Sequence, residues 1–153
     1  MLAGDGVASV RFGESASSAI ADLDRLLGNP PEGPVSEAGN CTIDTAEQWS
    51  GLTVFFDKDE FVGYSTLAAN GERLTRGNME AAKGLRVGDT LAQAQQLYGS
   101  AFQTSLAQGG SWSVPTAAGK LIGYLSAEPN QPGPAPTITS IEAGSVGCPA
   151  ATP

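Results

Sequence analysis

The chain has 153 residues, of which 41% are hydrophobic and 16% are charged, so it fits one domain with a packed core and is too short for a large α/β barrel. Twenty glycines and ten prolines favour short elements joined by turns over a helical bundle. A net charge of −8 disfavours nucleic acids and anionic membrane surfaces as partners. Because histidine is absent, Ser-His-Asp and Cys-His catalysis are excluded and a zinc site has little support.

The first predicted element is a helix that begins after Gly13-Glu14-Ser15 and ends at Gly28. The serine is of the type that caps helix N-termini, and the glutamate places negative charge near the positive end of the helix dipole. Gly28 is typical of a helix C-terminus. Apolar residues follow the spacing of one helix face: Ala16, Ala19, Ile20, Leu23, Leu26 and Leu27. We expect Leu23, Leu26 and Leu27 to be largely buried.

Three strands are predicted after this helix, over 42–49, 52–57 and 61–67. In the second strand Leu52, Val54 and Phe56 alternate with the residues between them, which is the period of a strand. Lys58-Asp59-Glu60 is a turn between the second and third strands. Residues 29–40 contain three prolines and are predicted to be irregular.

The second half repeats this order. Leu85-Arg86-Val87-Gly88-Asp89-Thr90 matches Val10-Arg11-Phe12-Gly13-Glu14-Ser15 in the sequence apolar, arginine, apolar, glycine, acid, hydroxyl. A helical pattern then runs to Gly99, with an apolar face that we expect to be buried: Leu91, Ala94 and Leu97. Strands are predicted over 111–114, 120–127 and 137–143, and the four prolines within 128–136 predict an extended loop.

These elements predict an α+β fold in which two tandem helix-plus-three-stranded-meander units share one antiparallel sheet, with the helices on one face. The chain 1–153 would be a single domain made of two repeats, about 8–69 and 84–146. A second alignment conflicts with the first, because 61–64 also resembles 121–124 and would pair the third strand of one half with the second strand of the other. Both alignments stay open at this point.

The pattern of a capped helix followed by a meander, present twice, resembles the secreted β-lactamase inhibitory proteins of actinomycetes and the single-unit BamE/SmpA outer-membrane lipoproteins. The helix starts at Gly13 and Gly88 and the strands led by Trp49 and Trp112 carry this resemblance over about residues 8–146. The chain is also similar to exported actinobacterial proteins of unknown function. The resemblance implies an exported protein, extracellular or associated with the cell envelope.

The two cysteines, Cys41 and Cys148, are far apart and form no Cys-x-x-Cys motif. An even pair in a chain of exported composition favours one disulfide that ties the two halves together. Two buried free thiols are the alternative.

Most aromatic residues are expected in the core. The alternative is an exposed sheet face from which Trp49, Tyr64, Trp112 and Tyr124 contact a partner, because tryptophan and tyrosine dominate protein contacts. The sequence alone does not separate these alternatives.

The first functional hypothesis is a non-enzymatic exported binding module whose partner is a cell-envelope protein. The second is an inhibitor of a secreted enzyme. The third is a hydrolase that uses two carboxylates, as glycosidases do. No cofactor, metal or nucleic acid is predicted, and no apolar segment is long enough to insert the domain into a membrane.

Overall fold

The computed structural model describes residues 2–27, 34–35, 45–49, 52–66 and 80–146. Two α-helices, α1 (Ala16–Leu27) and α2 (Leu91–Tyr98), lie in this part of the chain. Short 3-10 turns cover Ala82–Gly84, Gly99–Ala101 and Ala107–Gly109. The strands, in chain order, are β1 (Leu2–Ala3), β2 (Gly6–Val7), β3 (Val10–Arg11), β4 (Pro34–Val35), β5 (Thr45–Trp49), β6 (Leu52–Asp57), β7 (Glu60–Ser65), β8 (Gln103–Ser105), β9 (Ser111–Thr116), β10 (Gly119–Tyr124) and β11 (Glu142–Gly144).

The strands form two antiparallel sheets. β1, β2 and β3 make a small sheet, and the other eight make a large one in the order β4-β5-β6-β7-β11-β10-β9-β8. β7 and β11 pair at the centre of the large sheet, where Ser65 lies opposite Glu142. Each half of the chain therefore supplies one side of the large sheet, from its edge to its centre.

The predicted fold class is wrong. The structure is mostly β, with 42% strand and 26% helix, and it is not built of two helix-plus-three-stranded units. In the described part of the chain, four strands follow each helix and a separate sheet precedes α1. The strands that the sequence did not predict are two or three residues long, too short for the side-chain alternation that identifies a strand.

One face of the large sheet, which we call the inner face, carries the core. Both helices pack into this single cluster of buried residues: Ala19, Leu23 and Leu27 from α1, Leu91 and Ala94 from α2, and Leu52, Val54, Val114 and Leu121 from the strands. The opposite, outer face carries a small second cluster in the first half, made of Ala46 and Phe55 with Val62 and Val146 against them.

The expected burial of the helix faces is wrong at one position and incomplete at another. Leu26 is 43% exposed, and Leu97 is only half-buried. The buried stripe of α1 runs through Leu23 and Leu27, which lie four residues apart on one side of the helix. Leu26 lies about a hundred degrees around the axis from Leu27, at the margin of that stripe.

The two helix starts are hydrogen-bonded to the sheet in the same way. The Gly13 N–H donates to the Phe61 carbonyl and the Gly88 N–H donates to the Ile138 carbonyl, each at 2.8 Å. Phe61 and Ile138 each donate in return to the carbonyl of the acidic residue after that glycine, also at 2.8 Å. Phe61 therefore corresponds to Ile138 rather than to Leu121, the residue that the alternative alignment matched with it.

The glycine at each helix start has a backbone reason. Gly13 has φ +96° and Gly88 has φ +100°, a conformation that favours glycine. Thr90 then caps α2 in a reciprocal arrangement with Gln93, in which each side chain bonds the other's backbone N–H. The division of the chain into two repeats, about 8–69 and 84–146, stays a prediction. The disulfide also stays a prediction, because Cys41 and Cys148 lie outside the described residues.

Candidate functional site

Three of the four aromatic residues considered for a partner surface are in the core. Trp49 is 1% exposed, Tyr64 is 0% and Trp112 is 2%. Buried side chains cannot meet a partner at the surface, so these three do not form an exposed patch. Tyr124 is the exception, since it lies half-buried on the outer face.

Each buried aromatic has a structural contact. The Trp49 Nε1 donates to the Asp24 carboxylate on α1 at 3.1 Å. The Tyr64 hydroxyl donates to a backbone carbonyl of β1 at 2.9 Å. Trp112 stacks on Phe102 with ring centroids 5.4 Å apart. These contacts join the sheet to the elements packed on its inner face, which is a structural role.

A cavity of about 280 Å³ opens on the outer face of the second half. We call this cavity the trough and define it by its outer-face residues: Gln103, Ser105, Ser111, Ser113, Ile122, Tyr124 and Glu142. Its volume is at the lower end of ligand sites, so it suits a small group rather than a large ligand.

The strand register explains how these side chains meet. Ser113 pairs with Gln103 on one side and with Ile122 on the other, and Ile122 pairs in turn with Glu142. Residues paired across neighbouring antiparallel strands point to the same face. The short serine side chains leave space between the larger residues on either side, and that space is the trough.

Glu142 lines the trough at its β11 side. The residue is only 6% exposed. Burial raises the pKa of the Glu142 carboxyl, and a hydrogen bond from the Ser65 hydroxyl opposes that rise. Burial, followed by the nearby Glu142 carboxylate, also raises the pKa of the Tyr124 hydroxyl. A buried carboxyl and a tyrosine therefore share one end of an open cavity, which is a combination typical of functional sites.

The ion pairs among the described residues are elsewhere. They join Arg11 to Asp5, Arg25 to Asp22 and Arg86 to Glu80. Glu142 has no cationic partner in the described ranges, and it is the one charged residue among those that line the trough. The described residues of the site are thus rich in hydrogen-bond acceptors and include a single carboxylic acid, Glu142.

The first half has a counterpart for each of these outer-face positions. Phe56 pairs with Phe61 as Leu125 pairs with Ile138, so β6 corresponds to β10. The register then matches Ala46 with Ser111, Gln48 with Ser113, Thr53 with Ile122 and Phe55 with Tyr124. All four first-half residues are buried, with exposed fractions of 0%, 5%, 4% and 6% respectively. The outer face is therefore closed at these positions and open in the second half.

Within the part of the chain that the structure describes, no group of three or more potential ligands is placed to hold a metal ion. Over the same ranges, no helix has the length and apolar character needed to cross a membrane.

Comparison with known proteins gives a fold relative only. No family model matches the chain, and no curated protein matches it. Among solved structures, the chain is similar to the uncharacterized protein yfeY from Escherichia coli, with a TM-score of 0.55 and 12% identity over 94% of this chain and 99% of that one. This likeness concerns the fold alone. The resemblance to the inhibitory proteins and to the BamE/SmpA lipoproteins stays a prediction.

Sequence reasoning named Tyr124 but missed Glu142 and the serines of the trough. One signal was present in the sequence, because Glu142 is a carboxylate between Ile141 and Ala143 in a predicted strand. A charge in such a position is rare unless it has a partner or a function. The serines had no such signal, since their role depends on the register.

Proposed function

We propose that this protein is a non-enzymatic binding module of the cell envelope or the surrounding medium, and that its partner, a protein, docks on the trough. The observation that carries this proposal is the difference between the two halves of the outer face. Corresponding positions are buried in the first half and accessible in the second. A concave surface with a few convergent polar groups and a titratable residue of shifted pKa is where a binding site is expected.

The edge of the sheet beside the trough supports a protein as the partner. All three residues of β8 are exposed, and Leu106, which follows β8, is 57% exposed. An exposed strand edge can pair with an extended segment of another chain, while the face beside it accepts the side chains of that segment. The chain's net charge of −8 favours a partner that presents a basic surface.

The number of carboxyl groups in the trough argues against the hydrolase alternative. Glycosidase chemistry requires two carboxyl groups flanking the bond that is cleaved. Among the described residues that line the trough, Glu142 is the sole carboxylate. Location outside the cytoplasm is proposed with this function and rests on composition.

Photo-crosslinking tests the proposal. A benzophenone amino acid is placed at Gln103, on the rim of the trough, and at the exposed Gln95 of α2 as a matched control. We expect a crosslinked envelope protein from position 103 and none from position 95. The protein is then identified and purified, and it should bind the wild-type chain but not a Ser113→Trp variant whose trough is filled.

Two results would overturn the proposal. The first is a purified partner that binds the Ser113→Trp variant as tightly as the wild type, with that variant's fold verified by its NMR spectrum. The second is turnover of a substrate that is abolished by Glu142→Gln, which would identify the trough as an active site.

A further inference from the structure

The β11 side of the trough holds a buried acid that has no counter-charge among the residues that the structure describes. Glu142 is 6% exposed, lies opposite Ser65 on one side and opposite Ile122 on the other, and lines the cavity. Buried charges are normally paired, because an unpaired one loses its hydration without compensation. In the described residues the compensation is one hydrogen bond from the Ser65 hydroxyl. The cavity therefore offers the space where a counter-charge would fit.

Among the described residues, the titratable groups that interact with Glu142 are two tyrosines, one on its own outer face and one on the inner face of the sheet. Tyr124 on β10 and Tyr64 on β7 interact electrostatically with its carboxylate, and burial is the first cause that raises the pKa of each hydroxyl. Both tyrosines are therefore neutral near neutral pH. Among the described residues, no lysine or arginine contributes to the electrostatics of Glu142. Within ranges 2–27, 34–35, 45–49, 52–66 and 80–146, this acid is thus left without a cation.

The rest of the trough suits a positively charged group. The Ser111 and Ser113 hydroxyls and the Gln103 amide can accept hydrogen bonds. The Tyr124 ring offers a π face of the kind that attracts cations. The overall charge of −8 raises the local concentration of cations around the molecule.

We propose that the trough binds a guanidinium or ammonium group, with Glu142 as its counter-charge, and that the group belongs to an arginine or lysine of the partner. This inference rests on the proposed function, since it names the chemistry that the same site recognises. A planar guanidinium carries five N–H donors, so it can bond the carboxylate and the neighbouring hydroxyls together. Arginine should therefore bind more tightly than lysine.

The test uses Nα-acetyl-arginine amide, Nα-acetyl-lysine amide and Nα-acetyl-citrulline amide as probes. Citrulline has the shape of arginine without its charge. Binding is followed by the backbone amide shifts of Ser113, Ile122 and Tyr124 in the full chain. We expect saturable shifts with arginine, weaker binding of lysine, and binding of citrulline that is about tenfold or more weaker, because its neutral urea group keeps N–H donors but loses the charge that strengthens their bonds to the carboxylate.

Three variants make the test specific. Glu142→Gln should weaken arginine binding about tenfold or more. Glu60→Gln removes the same charge from the exposed first residue of β7, at the other end of that strand from Ser65, and should leave binding unchanged. Ile122→Lys, which keeps Glu142 but places an ammonium beside it, should also abolish arginine binding. The Ile122→Lys variant covers the case in which Glu142→Gln fails to fold.

Arginine affinity should fall as the pH is lowered through the pKa of Glu142, and this dependence should be absent in Glu142→Gln. Equal binding of citrulline and arginine, or wild-type affinity in Glu142→Gln, would overturn the inference. If Ser113→Trp blocks the partner while Glu142→Gln does not, the proposed function stands and the cation chemistry is wrong. If arginine amide binds but a nonapeptide centred on arginine does not, a free small cation replaces the partner's side chain as the ligand.

Discussion

The two halves of the large sheet share an inner face but differ on the outer face. Leu52 and Leu121, at corresponding positions, are both fully buried in the common core. On the outer face, Phe55 is 6% exposed, whereas the corresponding Tyr124 is half-buried beside the trough. The same backbone framework thus supports a closed surface in one half and an open one in the other.

This difference indicates which residues make the fold and which are free to make a site. The inner face must be apolar in both halves, because both helices bury their apolar stripes against it. The outer face of the second half carries no such requirement. Ser111 in the second half stands at the position that corresponds to Ala46 in the first. The strand pairing is the same at both positions, since Ser111 pairs with Tyr124 and Ala46 pairs with Phe55. Function is therefore expected where the fold does not fix the side chains.

The largest expected effect tests whether the inner faces are equivalent. Leu52→Ala and Leu121→Ala should each lower the free energy of unfolding by about 2–5 kcal/mol, because each leaves a cavity in the same core. Urea unfolding measures both. Leu26→Ala, on the exposed margin of α1, is the control and should change stability by less than either variant. A small loss for only one of the two core variants would break the equivalence.

A smaller effect separates the two helix starts. The Thr90 Oγ1 accepts from the Gln93 N–H at 3.1 Å, and the Gln93 Oε1 accepts from the Thr90 N–H at 2.8 Å. Ser15 makes one longer bond, to the Ser18 N–H at 3.3 Å. Thr90→Ala should therefore cost about 1 kcal/mol and Ser15→Ala less.

Urea unfolding also measures the two cap variants, with Thr90→Ser as the matched variant that keeps a capping hydroxyl. A greater loss of stability for Ser15→Ala than for Thr90→Ala would show that the cap geometry does not rank the two helix starts.

The smallest expected effect is a gain in the free energy of unfolding. The pKa of Glu142 is raised in the folded chain, so the protonated acid favours folding and its contribution is lost as the pH rises through that pKa. Glu142→Gln should therefore be more stable than the wild type at neutral pH, and the gap should close in acid. Glu60→Gln, at the exposed start of β7, should stay within about 0.5 kcal/mol of the wild type at neutral pH. An unchanged gap across the pH range would contradict the burial of Glu142.

Part of the fold was readable from the sequence. The bounds of β6, Leu52–Asp57, match the predicted strand, because its side chains alternate over six residues. The start of α2 after Thr90 matches as well, since its cap and apolar spacing are local signals. β1 and β8 were missed because two or three residues carry no period.

The candidate site could not be predicted because it depends on pairing between distant strands. Glu142 meets Ile122 through one strand pair and Ser65 through another. No local pattern specifies either register. The sequence could not tell whether the aromatic residues lie in the core or on a partner surface, since tryptophan is common in both places. Trp49 and Trp112 lie at different places in their strands, one at the end of β5 and one near the start of β9.

The accessibility of two corresponding outer-face positions tests the central difference most directly. Thr53 is 4% exposed, and its counterpart Ile122 is half-buried at the trough. Thr53→Cys and Ile122→Cys are treated with a maleimide under native conditions, and peptide mass spectrometry separates their labelling from that of Cys41 and Cys148. The cysteine at position 122 should react much faster than the one at position 53, and the two should react alike after unfolding. Equal native rates, or faster reaction at position 53, would contradict an outer face that is closed in the first half and open in the second.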